Sequence, residues 1–257
     1  MRVVIKIGTS TLTHKSGREN IRRIEELCKA VSDVKNAGYE IILVSSGAIG
    51  MGVGKLNLKE RPKDIAGKQA CAAVGQCELM YIYDKEFSAY NHTVAQLLLT
   101  APDLSCDDRR GKFENTMTRL LELGVLPIIN ENDTVATEEI EFGDNDTLAA
   151  KIAVSVDADL LILLSDIDGL YTADPHKDTS AKLISEVREL TEDILALAGD
   201  AGTSLGTGGM QTKLRAAKIT TEAGCDMIIA NGAEPSLLYD ILDGKPVGTK
   251  FYANGNK

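Results

Sequence analysis

The sequence predicts an α/β protein: one three-layer αβα domain over residues 1–257 with a largely parallel central sheet. Two observations predict it. Short runs of β-branched and aliphatic residues, of the kind buried on both faces of a parallel sheet, alternate with stretches whose apolar residues recur at helical spacing. Those runs also end, one after another, in loops of Gly, Ser, Asn and Asp, as strands do when their carboxyl ends gather along one edge of a sheet. No internal repeat, low-complexity stretch or domain-separating linker interrupts the alternation, so 257 residues are read as one large domain rather than two small ones.

The first run is Val3-Val4-Ile5-Lys6-Ile7, a buried strand stopping at Gly8-Thr9-Ser10, which reads as a tight turn. Lys6 is the misfit. An ammonium near a strand's carboxyl end, beside the backbone N–H groups of Gly8, Thr9 and Ser10, suits a phosphate; a lysine whose stem packs while its head reaches water fits equally well. Ile21, Ile24, Leu27, Val31 and Val34 then mark a helix ending near Gly38, and Ile41-Ile42-Leu43-Val44 a second buried strand, completing a β-α-β unit. Residues 45–54 read as a second glycine-rich turn. A long helix over 64–87, a strand over 93–99, a helix near 113–123 and a strand over 125–129 continue the pattern.

Asn130-Glu131-Asn132-Asp133 forms a third loop at a strand end, and the alternating 135–142 reads as a hairpin arm. Gly143-Asp144-Asn145-Asp146 leads into a helix through Val156, with Asp144 or Asn145 as its N-cap. On local grounds Asp144-Asn145-Asp146 suits a divalent cation, the positioning of a lysine, or helix capping, and capping is the default. The strand over 160–164 ends in Ser165-Asp166. Gly206-Thr207-Gly208-Gly209 precedes a helix to Gly224, followed by a strand over 227–230, a turn at Asn231-Gly232 and a helix over 237–242.

Charge and cysteine usage narrow the function. With 28 Lys+Arg against 38 Asp+Glu, the formal charge is −10, which argues against a general nucleic-acid or acidic-membrane surface. Anionic substrates must then be held by local positive groups. No hydrophobic stretch reaches the length of a membrane span, and Lys6 and Gly8 break the first run too early for a signal peptide, so a cytoplasmic protein with no membrane partner is expected. Five scattered cysteines without a C-x-x-C pair, and three histidines, predict reduced, mostly buried thiols rather than a zinc site, and no side-chain metal site is assigned.

Two tempting motifs fail. Gly47 to Lys55 lacks the second glycine and the hydroxyl of a P-loop, because Ile49 and Leu56 stand there, and Gln211 replaces the third glycine of a dinucleotide fingerprint after Gly206-Thr207-Gly208. Gly206 to Lys213 is the stronger loop. Its glycines, a helix N-terminus and a lysine together suit a polyphosphate, against the plain alternative of a surface loop with a solvated lysine.

Taken together, Ile5-Lys6-Ile7-Gly8-Thr9-Ser10, Ser46-Gly47-Ala48, Asn130-Glu131-Asn132-Asp133, Gly143-Asp144-Asn145-Asp146, Gly169-Leu170-Tyr171-Thr172-Ala173-Asp174-Pro175 and Gly206 to Lys213 resemble the glutamate 5-kinases of the amino acid kinase superfamily, in the same order and over essentially the whole chain. The resemblance implies the amino acid kinase fold and transfer of the γ-phosphoryl of ATP to L-glutamate, with Mg²⁺, in proline biosynthesis. It implies a glutamate site from Ser46, Gly47, Ala48, Asp133 and Asn145. The implied ATP site comprises Lys6, Gly8, Thr9, Ser10, Ser165, Asp166, Thr207, Gly208, Gly209, Met210, Gln211, Thr212 and Lys213. Lys6 and Lys213 are the expected catalytic cations, converging on one phosphoryl group with Asp146 between or beside them. Ser165 stands where many members carry threonine.

The resemblance further implies proline as feedback inhibitor, a homodimer or tetramer with the 64–87 helix at an interface, and glutamyl phosphate reductase as a downstream partner. Many bacterial members continue into a PUA domain, which this chain is expected to lack. Residues 47–54 and 206–209 are the expected closing loops. The alternatives are another amino acid kinase, such as one acting on N-acetylglutamate, or a non-catalytic amino-acid sensor. The chemistry suits a histidine-poor chain: a glutamate side chain of pKa near ~4.3 is already ionised at neutral pH and needs no general base. Aligning two anions and neutralising their charge is the main task.

Overall fold

Every strand of the sheet's body is paired on the pattern that the apolar runs dictate. The computed structural model describes residues 1–14, 18–136, 145–175, 177–197 and 209–255. The strands are β1 (Arg2–Ile7), β2 (Glu40–Ser45), β3 (Val94–Leu99), β4 (Leu126–Glu131), β5 (Leu160–Ser165), β6 (Glu186–Val187), β7 (Asp226–Asn231) and β8 (Thr249–Phe251), in the spatial order β3-β4-β2-β1-β5-β7-β8-β6. The first six in that order are mutually parallel. β8 is antiparallel to β7, and β6 follows β8, so the last two strands run against the rest. These two short strands leave no periodic signal and are absent from the sequence-based reading.

β1 is the hub. Val3, Val4, Ile5 and Ile7 are all fully buried, and alternation sends them to opposite faces. Val3, Ile5 and Ile7 join a core with α2 (Ile21–Asn36), α4 (Ile65–Ser88) and α10 (Leu237–Leu242). Val4 joins the opposite core with α6 (Asp107–Glu122), α7 (Asn145–Ser155) and α9 (Met210–Glu222). Lys6, two residues on, shares the face of Val4 and so meets α7 and α9. The chain leaves β1 towards β2 on one side and reaches β5 and β7 on the other, so the sheet switches direction between β1 and β5, the place where open α/β sheets bind ligands. Among the described residues no helix is long and apolar enough to cross a membrane. All five cysteines are free; Cys28, Cys71 and Cys225 are buried, Cys77 and Cys106 exposed.

Two segments read as turns are helical. Gly8 is followed by a one-turn helix, α1 (Thr9–Leu12), and the glycine-rich stretch after β2 contains α3 (Ala48–Lys55) despite Gly50, Gly52 and Gly54. Each glycine weakens a helix by about 1 kcal/mol relative to alanine. Close packing explains them: a Cβ on Gly52 would lie 1.9 Å from the Cys71 carbonyl oxygen of α4, and one on Gly75 of α4 would lie 1.8 Å from that of Ala48. α3 is thus pressed backbone to backbone on α4, and the expectation that 47–54 is a closing loop is corrected. Val135 and Ala136 lie in a turn rather than a strand, and the remainder of the expected hairpin arm, like the Gly206-Thr207-Gly208 loop, lies outside the described residues.

Gly75→Ala should lower stability by about 1–3 kcal/mol or more, because overpacking outweighs the helix-propensity gain. Thermal unfolding of the variant against the parent protein checks this.

Candidate active site

The carboxyl end of β1 brings Lys6 to the amino end of α7, where Asp146 is buried in the first turn. Lys6 Nζ lies 2.7 Å from Asp146 Oδ1. Lys213 Nζ, from the first turn of α9, lies 3.0 Å from Asp146 Oδ2, and the Thr212 hydroxyl donates to the same oxygen at 2.9 Å. The side chains of Asp146 and Lys213 are almost fully buried, and that of Lys6 is 12% exposed. Burial alone would raise the Asp146 carboxyl pKa. The charges and hydrogen bonds of Lys6 and Lys213 prevail and hold it well below the ordinary carboxylate range. Two ammonium groups converge on one carboxylate in a strongly acidic chain, and the sparing exposure of Lys6 opens the cluster to an anion. Asp146 therefore anchors charge rather than merely capping its helix; Gly143 and Asp144 lie outside the described residues.

One residue earlier, Asn145 faces different partners. Its Nδ2 donates to Ser46 Oγ at 2.8 Å and to Asn130 Oδ1 at 3.3 Å, and Asn130 Nδ2 donates to Gln76 Oε1 of α4 at 2.8 Å. Ser46 reaches this position because Gly47 adopts φ +99°, a left-handed conformation that turns the chain from β2 into Ala48 at the start of α3. Asn145 Oδ1 and Asp133 Oδ1 are buried acceptors without a hydrogen-bond partner among the described residues. Buried acceptors are nearly always satisfied, so this pair suits a ligand that brings donors. Burial pushes the Asp133 carboxyl up to about 6, against the opposing charge of Arg61. Asn130 and Gln76 had no assigned role in the sequence. Asn130 stood inside a quoted motif, whereas a glutamine in a long helix gives no signal of its own.

Ser165 and Asp166 close β5, the strand next to β1, with Ser165 buried, Asp166 exposed, and the serine hydroxyl donating to Asp166 Oδ1 at 3.1 Å. The Gly8 N–H is given to Leu164 O at 3.2 Å, so it is not available to a phosphate; Thr9 and Ser10 stay exposed at the start of α1, where helix N–H groups lack intrahelical partners. Gly209 caps α9, and Met210 and Gln211 begin it; Thr207 and Gly208 lie outside the described residues. Thr212 spends its hydroxyl on Asp146 and on Gly209 O at 2.8 Å, holding the anchor rather than facing outward.

A family model described as the amino acid kinase family matches residues 1–231. The chain belongs to the amino acid kinase family. Within that family it is 52% identical to a glutamate 5-kinase of Clostridium perfringens, over 98% of this chain and 95% of that protein. It is 54% identical to a glutamate 5-kinase of Carboxydothermus hydrogenoformans, over the whole of this chain and 69% of that longer protein. Among solved structures of amino acid kinase fold, Giardia lamblia carbamate kinase bound to AMP-PNP aligns with TM-score 0.66 at 20% identity, covering 98% of both chains. UMP kinase from Bacillus anthracis aligns with TM-score 0.66 at 17% identity, covering 99% of this chain and 96% of that one.

Replacing Asp146 with alanine removes the buried carboxylate that pairs with both Lys6 and Lys213 and should cost about 3–5 kcal/mol of stability at neutral pH. Because the carboxyl pKa is depressed in the folded state, its contribution is full above the ordinary carboxylate range and fades only as pH falls below it. Urea unfolding of parent and variant at pH 7 and at pH 3 should show the gap narrowing in acid.

Proposed function

We propose that this chain transfers the γ-phosphoryl of ATP to the side-chain carboxylate of L-glutamate, giving γ-glutamyl phosphate and ADP, as the first step of proline biosynthesis in the cytoplasm. The observation that carries this is the division of labour at the start of α7. Asn145 joins Ser46 and leaves an acceptor for an amino acid's ammonium, while the adjacent Asp146 holds the two cations that a moving phosphoryl group needs. Similarity to glutamate 5-kinases over nearly the whole chain supports the same reading.

Glutamate lies with its ammonium towards Asp133 and Asn145 Oδ1 and its γ-carboxylate towards Lys6. ATP lies over the ends of β1 and β5 and the start of α9, at Ser165, Asp166 and Gly209 to Lys213. Lys6 and Lys213 neutralise charge on the phosphoryl as it passes in line between two anions, a task of preorganised electrostatics rather than proton transfer. Asp146 holds both ammonium groups in place throughout. Mg²⁺ would arrive on the ATP phosphates and would supply further charge neutralisation there, while Asp146 holds the two lysines. An N-acetylated acceptor is disfavoured, because it would bring a neutral amide to the buried Asp133 where an ammonium pairs with it.

Proline has the ammonium and α-carboxylate of glutamate without the second carboxylate, and competes at the Asp133 end. The protein works as a dimer or tetramer using α4, whose Tyr81 is 64% exposed, and passes its acyl phosphate to glutamyl phosphate reductase.

Glutamate-dependent ADP release, with the product trapped by hydroxylamine as the hydroxamate, tests the reading. N-Acetylglutamate, aspartate and carbamate should give no comparable turnover, and binding of glutamate without turnover would make the chain a sensor. Lys6→Ala should lower kcat by ~10²–10³ with a smaller change in glutamate KM; an unchanged kcat sinks its role. As pH falls through about 6, Asp133 takes up a proton and loses its charge, so kcat/KM for glutamate should drop while kcat/KM for ATP does not. Millimolar proline should raise glutamate KM and leave kcat unchanged.

A further inference from the structure

Gln76 is a nearly buried amide on α4, a helix that contributes no group to the proposed chemistry, and a buried amide is retained only where its hydrogen bonds are met. Its Oε1 accepts from Asn130 Nδ2 at 2.8 Å. Asn130 Oδ1 accepts the Glu131 backbone N–H at 2.9 Å and Asn145 Nδ2 at 3.3 Å. Each primary amide has one oxygen and one NH₂ end, so the orientation of one dictates that of the next. The Glu131 N–H is a fixed backbone donor, so Asn130 turns its oxygen to that N–H and to Asn145, and its NH₂ to the Gln76 oxygen. Asn145 turns its NH₂ inward, towards Asn130 Oδ1, Ser46 Oγ and, at 3.4 Å, the Ser45 carbonyl, and its Oδ1 is left buried and unpartnered among the described residues. The contact of Gly75 with the Ala48 carbonyl keeps α4 at the distance this chain of amides requires.

We infer that Gln76 is a positioning residue for the amino-acid substrate: acting through Asn130, it holds Asn145 with its carbonyl oxygen, not its NH₂ group, presented to the substrate's ammonium. The inference rests on the proposed glutamate site. It assigns to α4 a share in selecting α-amino acids over the same diacids without an amino group, although Gln76 touches no reactant. Loss of the Gln76 oxygen leaves the buried Asn130 NH₂ unsatisfied and Asn130 held by the Glu131 N–H alone, which loosens its grip on Asn145, and a rotated Asn145 sets a donor against the ammonium.

The test compares glutamate with glutarate, the same diacid without the ammonium, by calorimetric titration of the full chain and of Gln76→Met, which keeps length and removes the oxygen. Gln76→Met should weaken glutamate binding about tenfold and leave glutarate binding within about twofold, so the preference for glutamate falls about tenfold. Gln76→Glu, which keeps an acceptor oxygen, should recover the preference to within about threefold. If Gln76→Met does not fold, Gln76→Leu, which also removes the oxygen while filling the space, gives the same readout. A preference unchanged in the variants, equal losses for both ligands, or a parent protein that binds glutamate no better than glutarate overturns the inference. A parent protein that binds glutamate selectively but does not phosphorylate it overturns the kinase reading and leaves the Gln76 inference standing.

Discussion

A single buried carboxylate with an ammonium group on each oxygen organises this molecule. Asp146 is inaccessible to water, and neither Lys6 nor Lys213 would sit in the interior without it. Burying ions is costly, and only the mutual pairing of three of them, with the Thr212 hydroxyl completing the shell, makes the arrangement tolerable. The pairing joins the first strand of the chain to two helices of one face, α7 and α9, which also pack apolar side chains on the sheet. The cluster thus concentrates positive charge on one carboxylate, inside a chain whose overall formal charge is −10.

The amino-acid half of the site is built by the opposite strategy, without net ion pairs. Ser46, Asn145, Asn130 and Gln76 form a neutral network whose donors and acceptors are matched except at the ends that a substrate would meet. Its support is the contact of α3 and α4 through Gly52 and Gly75, where main chains touch with no side chain between them. A rigid neutral wall and a strongly polarised charge cluster thus meet at two successive residues of α7. The switch point between β1 and β5 is where the sheet can bring such unlike surfaces together.

Much of this was legible in the sequence, for reasons that differ from residue to residue. A lysine inside Val3-Val4-Ile5-Lys6-Ile7 violates the apolar pattern of a buried strand, so Lys6 announces itself, and strand alternation fixes its face. Asp146 is ambiguous by itself, since an acidic residue in a first helical turn is ordinary capping chemistry; only the arrival of two lysines from distant segments gives it another role. α3 was read as a turn because glycine content speaks for a loop, and the counter-signal is tertiary: the backbone of a helix many residues later occupies the place of the missing side chains. Gln76 and Asn130 escaped because an amide's role lies in which end points where, and sequence carries no information on that. β6 and β8 are too short to show a period.

The adjacency of Asn145 and Asp146 also bears on how such a site can change over evolutionary time. One turn of α7 carries both Asn145, proposed to recognise the acceptor, and Asp146, proposed to steady the phosphoryl cations, so a substitution that re-aims the first disturbs the second. Asn130, Asp133 and Gln76, in β4, the loop after it and the facing part of α4, lie outside the ion cluster and are free of that constraint. The fold itself is shared with carbamate and UMP kinases at 20% identity or less.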